Sequence, residues 1–247
     1  MIKQIIHVYK SGTFGFADFI RAIYTISDLA EKHGYSYKVA FNHPISVFFD
    51  IDTEPYEITV NTYDTLLKDI ESKKQLIILE SNYSSVVQIK KNLIQEFIKP
   101  KQFLIDCVET TITNLKIQKK NFVILHIRYG DDNSQDINII NEFIKRIKRA
   151  ISIVKITNKP ILILSSSSII LNKLSNFSNL LFTGNIPCHT ANIESQATDY
   201  QNTLVEFYLM QHSKKIFNIS GGSFGNGISG FSYWASKMFG IEFTHLE

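Results

Sequence analysis

The sequence is short of cysteine, of charge of one sign and of long apolar runs, and each shortage excludes something. Cys107 and Cys188 are its two cysteines, too few for a disulfide framework, and no C-x-x-C pair offers a zinc site. A reduced, cytoplasmic setting is the expectation. The net charge of +3, from 26 basic and 23 acidic side chains, is too weak to mark a nucleic-acid-binding protein. No stretch approaches the roughly 18 uninterrupted apolar residues of a membrane span. The start, Met1 to Tyr9, alternates lysine and glutamine with isoleucine and lacks the apolar core of a secretory signal. There is no fixed-period repeat and no low-complexity tract. What is present is ordinary globular material: 247 residues, 44% hydrophobic and 20% charged, enough to bury one large core or two small ones.

Periodicity organises the chain into two similar halves. Ile2 to Tyr9 reads as a strand ending in the glycine-punctuated turn Gly12-Thr13-Phe14-Gly15. Phe16, Phe19, Ile20, Ile23, Ile26 and Ala30 then recur at helical spacing, stopped by His33-Gly34, and Tyr35 to Phe41 reads as a second strand. Leu76 to Leu79 is a further strand, and 84–118 reads as mostly helical. The pattern restarts with a strand from Phe122 to Ile127 and a helical stripe of Ile137, Ile140, Ile144, Ile147, Ile151 and Val154. Ile161 to Leu164 is nearly all apolar, as a parallel strand covered on both faces must be. Leu180 to Thr183 and Lys215 to Ile219 are the remaining strands, with helices over 199–212 and from Ile228 to Met238. The expected fold class is α/β: two Rossmann-like doubly wound domains, 1–118 and 119–247, divided at Lys119-Lys120 and facing a cleft.

Chemistry concentrates at two strand ends. Arg128 follows His126-Ile127 at the carboxyl end of a strand, where open α/β sheets bind ligands, and its planar fork suits phosphate oxygens. The plainer alternative is an ion pair with Asp131 or Asp132. His126 has the same parity as Arg128, and its alternative is a buried structural histidine. Gly221-Gly222-Ser223-Phe224-Gly225 lies between a strand and a helix, where backbone amides and a helix N-terminus receive an anion; a glycine-rich turn with a serine cap is the alternative. The formal G-x-G-x-x-G of Gly225, Gly227 and Gly230 fails as a dinucleotide fingerprint, which needs a following strand with an acidic residue about 20 positions on and then further βα units, for which the chain leaves no room. Asp50 and Asp52 form a D-x-D that could hold a divalent cation against a diphosphate, or could be exposed charges at a strand end. Lys145, Arg146, Lys148 and Arg149 lie opposite the isoleucine stripe and read as a solvated face. His189, Asp199 and Glu206 precede the glycine loop and could line the same cleft.

In their order along the chain, these motifs resemble those of the GT-B fucosyltransferase superfamily, the α1,2/α1,6/protein-O-fucosyltransferase group. Gly12 to Phe19 is similar to the family's first glycine loop, and His126-Ile127-Arg128-Tyr129-Gly130-Asp131 to its H-x-R-x-x-D motif. Ser223-Phe224 and Phe231-Ser232-Tyr233-Trp234-Ala235 are similar to its closing serine-rich motif. The resemblance implies a glycosyltransferase making an inverting transfer from GDP-fucose to a glycan hydroxyl, with no essential metal and no cofactor beyond the nucleotide-sugar donor. By matched position Arg128 holds the diphosphate, supported by His126 and by Gly221 to Gly225, and Asp18 is the candidate catalytic base. Many members carry a second arginine where this chain has Tyr129. Two other expectations stay open: a metal-dependent GT-A enzyme using Asp50 and Asp52, and a non-catalytic nucleotide- or glycan-binding module.

Overall fold

The computed structural model describes residues 2–10, 12, 14–80, 93–129, 136–184, 188, 190, 197–221 and 227–247. Contacts group the chain into two units, Met1–Phe103 with Thr190–Gln201, and Leu104–His189 with Asn202–Glu247.

The first unit runs β1 (Gln4–Lys10), α1 (Phe16–Lys32), β2 (Ser36–Asn42), a 3₁₀ turn at Pro44–Phe48, β3 (Phe49–Asp50), α2 (Tyr63–Glu71), β4 (Leu76–Leu79), α3 (Leu93–Phe97) and β5 (Lys99–Pro100). Its main sheet is parallel in the order β2-β1-β4, and β3 pairs with β5 in a separate antiparallel ribbon. The stripe read from the sequence is the buried face of α1, with Ile20, Ile23 and Ile26 fully covered, and Gly34 takes the positive φ of 70° that ends it. An aromatic cluster fixes the turn between β1 and α1. Tyr9 stacks on Phe19 and His43, and its hydroxyl donates to the Phe14 carbonyl at 3.1 Å. The segment 190–201 belongs to this unit for a specific reason. Thr190 Oγ1 accepts from the Phe16 amide at 2.6 Å, capping the start of α1 from 174 residues away. His43 takes the Ile45 amide on Nδ1, so its proton sits on Nε2 and is donated to the Thr190 carbonyl at 2.8 Å.

The second unit runs through most of α4 (Gln102–Asn114), then β6 (Val123–Arg128), α5 (Ile137–Lys155), β7 (Ile161–Ser165), α6 (Ser168–Leu174), β8 (Leu180–Phe182), the greater part of α7 (Ala197–Leu209), a 3₁₀ turn at Met210–His212, β9 (Lys215–Ser220), α8 (Gly230–Phe239) and β10 (Glu242–Leu246). The five strands form one parallel sheet in the order β10-β9-β6-β7-β8. Numbered within the unit this is 5-4-1-2-3, a doubly wound order that reverses between β6 and β9. Alternation assigns the two faces. Leu125, Ile127, Tyr129, Phe217 and Ile219 pack with the α5 stripe of Ile140, Phe143, Ile144, Ile147, Ile151 and Val154. On the other face, the His126 ring lies 5.6 Å from that of Phe231 in α8, which meets Phe207 of α7 at 5.3 Å.

Of the stretch 84–118, residues 84–92 lie outside the described residues, and the rest is mostly helical as expected, α3 and α4 with the two-residue β5 between them. One expectation needs correction. A strand does follow α8. Its five residues, Glu-Phe-Thr-His-Leu, form no apolar run because β10 is the half-buried edge of the sheet. No further βα unit follows β10, and the dinucleotide fingerprint also belongs after the first strand of such a domain, whereas Gly225, Gly227 and Gly230 come after the fourth. Among the described residues no helix is long and apolar enough to cross a membrane.

Candidate functional site

The second sheet reverses its order between β6 and β9, the point of an open α/β sheet at which ligands bind, and two sequence candidates meet at its carboxyl edge. Arg128 is the last residue of β6, in register with Ser220, the last of β9. The ladder continues one step further, with the Gly221 amide donating to the Arg128 carbonyl at 2.9 Å. Arg128 Nη1 reaches Ser166 Oγ, just past the end of β7, at 3.4 Å. The guanidinium therefore stands among the ends of three neighbouring strands. Asp131 and Asp132, its alternative partners, lie outside the described residues.

Gly221 is required by space rather than by dihedral angle. A Cβ there would fall 2.4 Å from two ring carbons of Phe143, a buried α5 side chain stacked on Tyr129 at 5.3 Å. Gly221→Ala is expected to lower stability by roughly 1–3 kcal/mol, since neither ring can move without opening the core. Chemical denaturation of the variant checks this. Tyr129 itself occupies the core, 3% exposed, and burial, followed by the nearby Asp136 carboxylate, raises its phenol pKa. The position after Arg128 thus faces the core.

Hydroxyls gather around the same edge. Ser220 and Ser232 are fully buried, and among the described residues the hydroxyl of each has no hydrogen-bond partner. Ser232 lies in the first turn of α8, where side chains lean back toward the helix start. Ser229 caps that helix without a side-chain hydrogen bond, and the first-turn amides of any helix lack intrahelical acceptors. Strand end, guanidinium, two buried hydroxyls and a helix N-terminus are a donor-rich set suited to an anion. Gly222, Ser223, Phe224 and Gly225 lie outside the described residues, as does His189.

His126, two residues before Arg128, is 6% exposed and buried against Phe231. Burial, aided by the Arg128 charge, pushes its pKa down to about 3, so it is a neutral imidazole near pH 7. Asn218, opposite it on β9, donates from Nδ2 to His126 Nδ1 and to the His126 carbonyl, each at 3.3 Å. Further along the edge, at β8, Thr183 Oγ1 donates to Glu206 Oε1 at 3.0 Å. Burial drives the Glu206 pKa up to about 8, against the lowering effect of that hydrogen bond.

The first unit holds the other candidates. Asp18 lies in the first turn of α1, at the carboxyl end of β1, and its carboxylate meets Arg21 at 3.3 Å. Asp50 is exposed on β3, whereas the Asp52 carboxylate accepts from Lys38 at 2.5 Å and from the Tyr56 hydroxyl. Burial would raise the Asp52 pKa, but hydrogen bonds from Lys38, Tyr56 and the Glu54 amide outweigh it and bring it to about 2. That commitment to Lys38 removes Asp52 from a D-x-D cation clamp. Among the described residues no three His, Cys, Asp or Glu side chains gather as metal ligands. Asp199 is an exposed first-turn residue of α7.

Sequence reasoning missed Ser166 and His245, and it gave Ser220 and Asn218, which stand in its glycine-loop and closing motifs, no role of their own. Each is a polar residue in or just beyond a strand, and only strand order and register show which of them are neighbours.

No family model and no curated protein matches the sequence. Solved structures do match. Fucosyltransferase NodZ from Bradyrhizobium aligns over 96% of this chain and 94% of its own, at 11% identity and a TM-score of 0.57. NodZ α1,6-fucosyltransferase co-crystallised with GDP aligns over 96% and 93%, at 10% identity and a TM-score of 0.59. A variant of FUT1 from Arabidopsis thaliana in complex with GDP aligns over 99% and 70%, at 9% identity and a TM-score of 0.62. At these identities the likeness is one of fold, a mixed α/β architecture with parallel sheets, and it extends over nearly the whole chain.

Proposed function

We propose that this chain is a GT-B-type glycosyltransferase that transfers fucose from GDP-fucose to a glycan hydroxyl with inversion at the anomeric carbon. The observation that carries the reading is Arg128 at the end of β6, hydrogen-bonded through its carbonyl to Gly221 at the reversal point of the sheet. A diphosphate seated there meets a permanent cation, two buried hydroxyls and the amides that open α8. The fold it shares with fucosyltransferases crystallised with GDP, and the order of its motifs, support a guanine nucleotide over other anions.

In this reading the second unit binds the donor and the first binds the acceptor across a cleft. The first unit has its own order reversal, between β1 and β4, with Asp18 beside it. The acceptor oxygen attacks the anomeric carbon as the bond from that carbon to the β-phosphate oxygen breaks. GDP leaves with the electron pair, and the acceptor proton passes to Asp18. Charge grows on the departing diphosphate, which is where Arg128 and the hydroxyls are worth most. No cofactor enters, and the cationic role a metal plays elsewhere falls to Arg128. The partners are a nucleotide sugar and a glycan, not nucleic acid, and the setting is the cytoplasm.

Incubation with GDP-fucose and a panel of glycan acceptors, following GDP release with and without EDTA, tests this. Acceptor-dependent release unaffected by EDTA is expected, with Asp18→Asn losing turnover but keeping GDP affinity. Donor binding without any transfer would return the chain to the class of binding modules.

A further inference from the structure

Three polar side chains cross the apolar interior of the second sheet in a single row. His126, Asn218 and His245 occupy matching register positions on β6, β9 and β10, so they project from the same face at the same depth. Asn218 is fully buried, and both of its amide ends are engaged. Two main-chain groups, whose roles never change, fix which end is which. The Ser229 N–H can only donate, and it reaches Oδ1 at 3.4 Å; the His126 carbonyl can only accept, and it lies 3.3 Å from Nδ2.

The orientation of that amide settles two imidazoles. Nδ2 also lies 3.3 Å from His126 Nδ1, so that ring nitrogen must accept and the His126 proton must sit on Nε2. Oδ1 lies 2.9 Å from His245 Nδ1, so that nitrogen must carry a proton and donate it. With Nδ1 taken by Asn218, Nε2–H is the ring's one remaining donor, and in the proposed donor site it is the group His126 offers, two residues before Arg128. The Ser229 bond adds a mechanical consequence. It ties the cap of α8 to the middle of β9.

We infer that Asn218 and His245 are positioning residues for the donor site: together they hold His126 in its Nε2–H tautomer and pin the start of α8 beside the end of β9. This rests on the reading of that edge as a GDP site. Neither residue touches the ligand; both act through His126 and Ser229. A protonated His126 would set an N–H against the Asn218 amide hydrogens, in keeping with its depressed pKa.

Two-bond proton–nitrogen NMR spectra of the unliganded chain report each histidine tautomer directly. His126 is expected to show an unprotonated Nδ1 and a protonated Nε2 between about pH 6 and 8, values that bracket the ordinary histidine pKa. His245 is expected to show a protonated Nδ1. Asn218→Asp swaps the donor for an acceptor of nearly the same size, so the His126 proton is expected to appear on Nδ1. GDP affinity should then fall at least tenfold, roughly 1.4 kcal/mol. His245→Gln can still donate to Oδ1 and is expected to preserve the His126 spectrum and GDP affinity, whereas His245→Phe is expected to lose both. This pair keeps the test open if Asn218→Asp fails to fold. A wild-type His126 with its proton on Nδ1, or His245→Phe with spectrum and affinity unchanged, overturns the inference. A wild-type chain with the expected tautomers that does not bind GDP overturns the functional reading instead, and leaves the hydrogen-bonded row standing.

Discussion

Arg128→Ala is expected to weaken GDP binding by about tenfold to 150-fold, corresponding to the roughly 1.5–3 kcal/mol of hydrogen bonds to a charged group. The loss should fall on the ligand and not on the fold. Arg128 is half-buried at the end of its strand, and the bond joining β6 to the loop after β9 comes from its main chain, which alanine keeps. Arg128→Lys restores the charge but not the two-pronged geometry and should lie between the two. Calorimetric titration with GDP, beside a melting curve of each variant, separates the outcomes. An alanine variant that melts much lower with undiminished affinity would mean that the guanidinium serves the sheet edge and not the phosphate.

Glu206 is one large source of the pH dependence of stability. A carboxyl whose folded pKa stands near 8, against an ordinary 4.5, holds its proton more tightly in the folded chain. Its contribution is therefore full below pH 4.5 and declines as pH rises toward 8. His126 runs the other way. With its pKa lowered from 6.5 to about 3, the unfolded chain takes up the proton first, and stability falls as pH drops below 6.5. Between pH 4.5 and 6.5 the two slopes oppose each other, giving a plateau with losses on both sides. Further into acid, Asp52 adds its own loss as pH falls from 3.8 toward about 2 and its bonds from Lys38 and Tyr56 weaken. Glu206→Gln keeps an acceptor for Thr183 and removes the ionisation. Relative to wild type it should gain about 1.4 kcal/mol per pH unit across the alkaline side. Urea denaturation from pH 4 to 9 reads this; parallel curves for wild type and variant would show that Glu206 does not titrate as its burial demands.

Much of this architecture is legible without coordinates because its strands and helices differ so plainly in period. The all-apolar runs at Ile124 and Ile161 announce central parallel strands, and the α5 stripe falls on the buried face of its helix. Legibility fails where a contact joins distant segments. Nothing near Thr190 signals that its hydroxyl caps a helix 174 residues earlier, so the exchange of 190–201 into the first unit is invisible to any local pattern. β10 is missed because an edge strand need not be apolar, and its histidine looks like a surface residue until register places it beside Asn218.

The candidate site divides along the same line. Arg128 and Gly221 are found by position, one at a strand end and the other at the head of a glycine loop. What they are held by is not, since Ser166 and Asn218 become neighbours only through strand order. Tyr129 shows the limit of matching motifs position by position. Where many fucosyltransferases carry a second arginine, this chain puts a ring into the core against Phe143, so in the proposed reading phosphate recognition rests on Arg128 and the hydroxyls around it.

A thermal-shift titration with GDP, UDP, CMP and NAD, each with and without EDTA, tests the central claim most directly, because a ligand that binds only the folded chain must raise its melting temperature. The account predicts stabilisation by GDP that EDTA leaves intact. Stabilisation by UDP that EDTA abolishes, or silence from all four nucleotides, would contradict it.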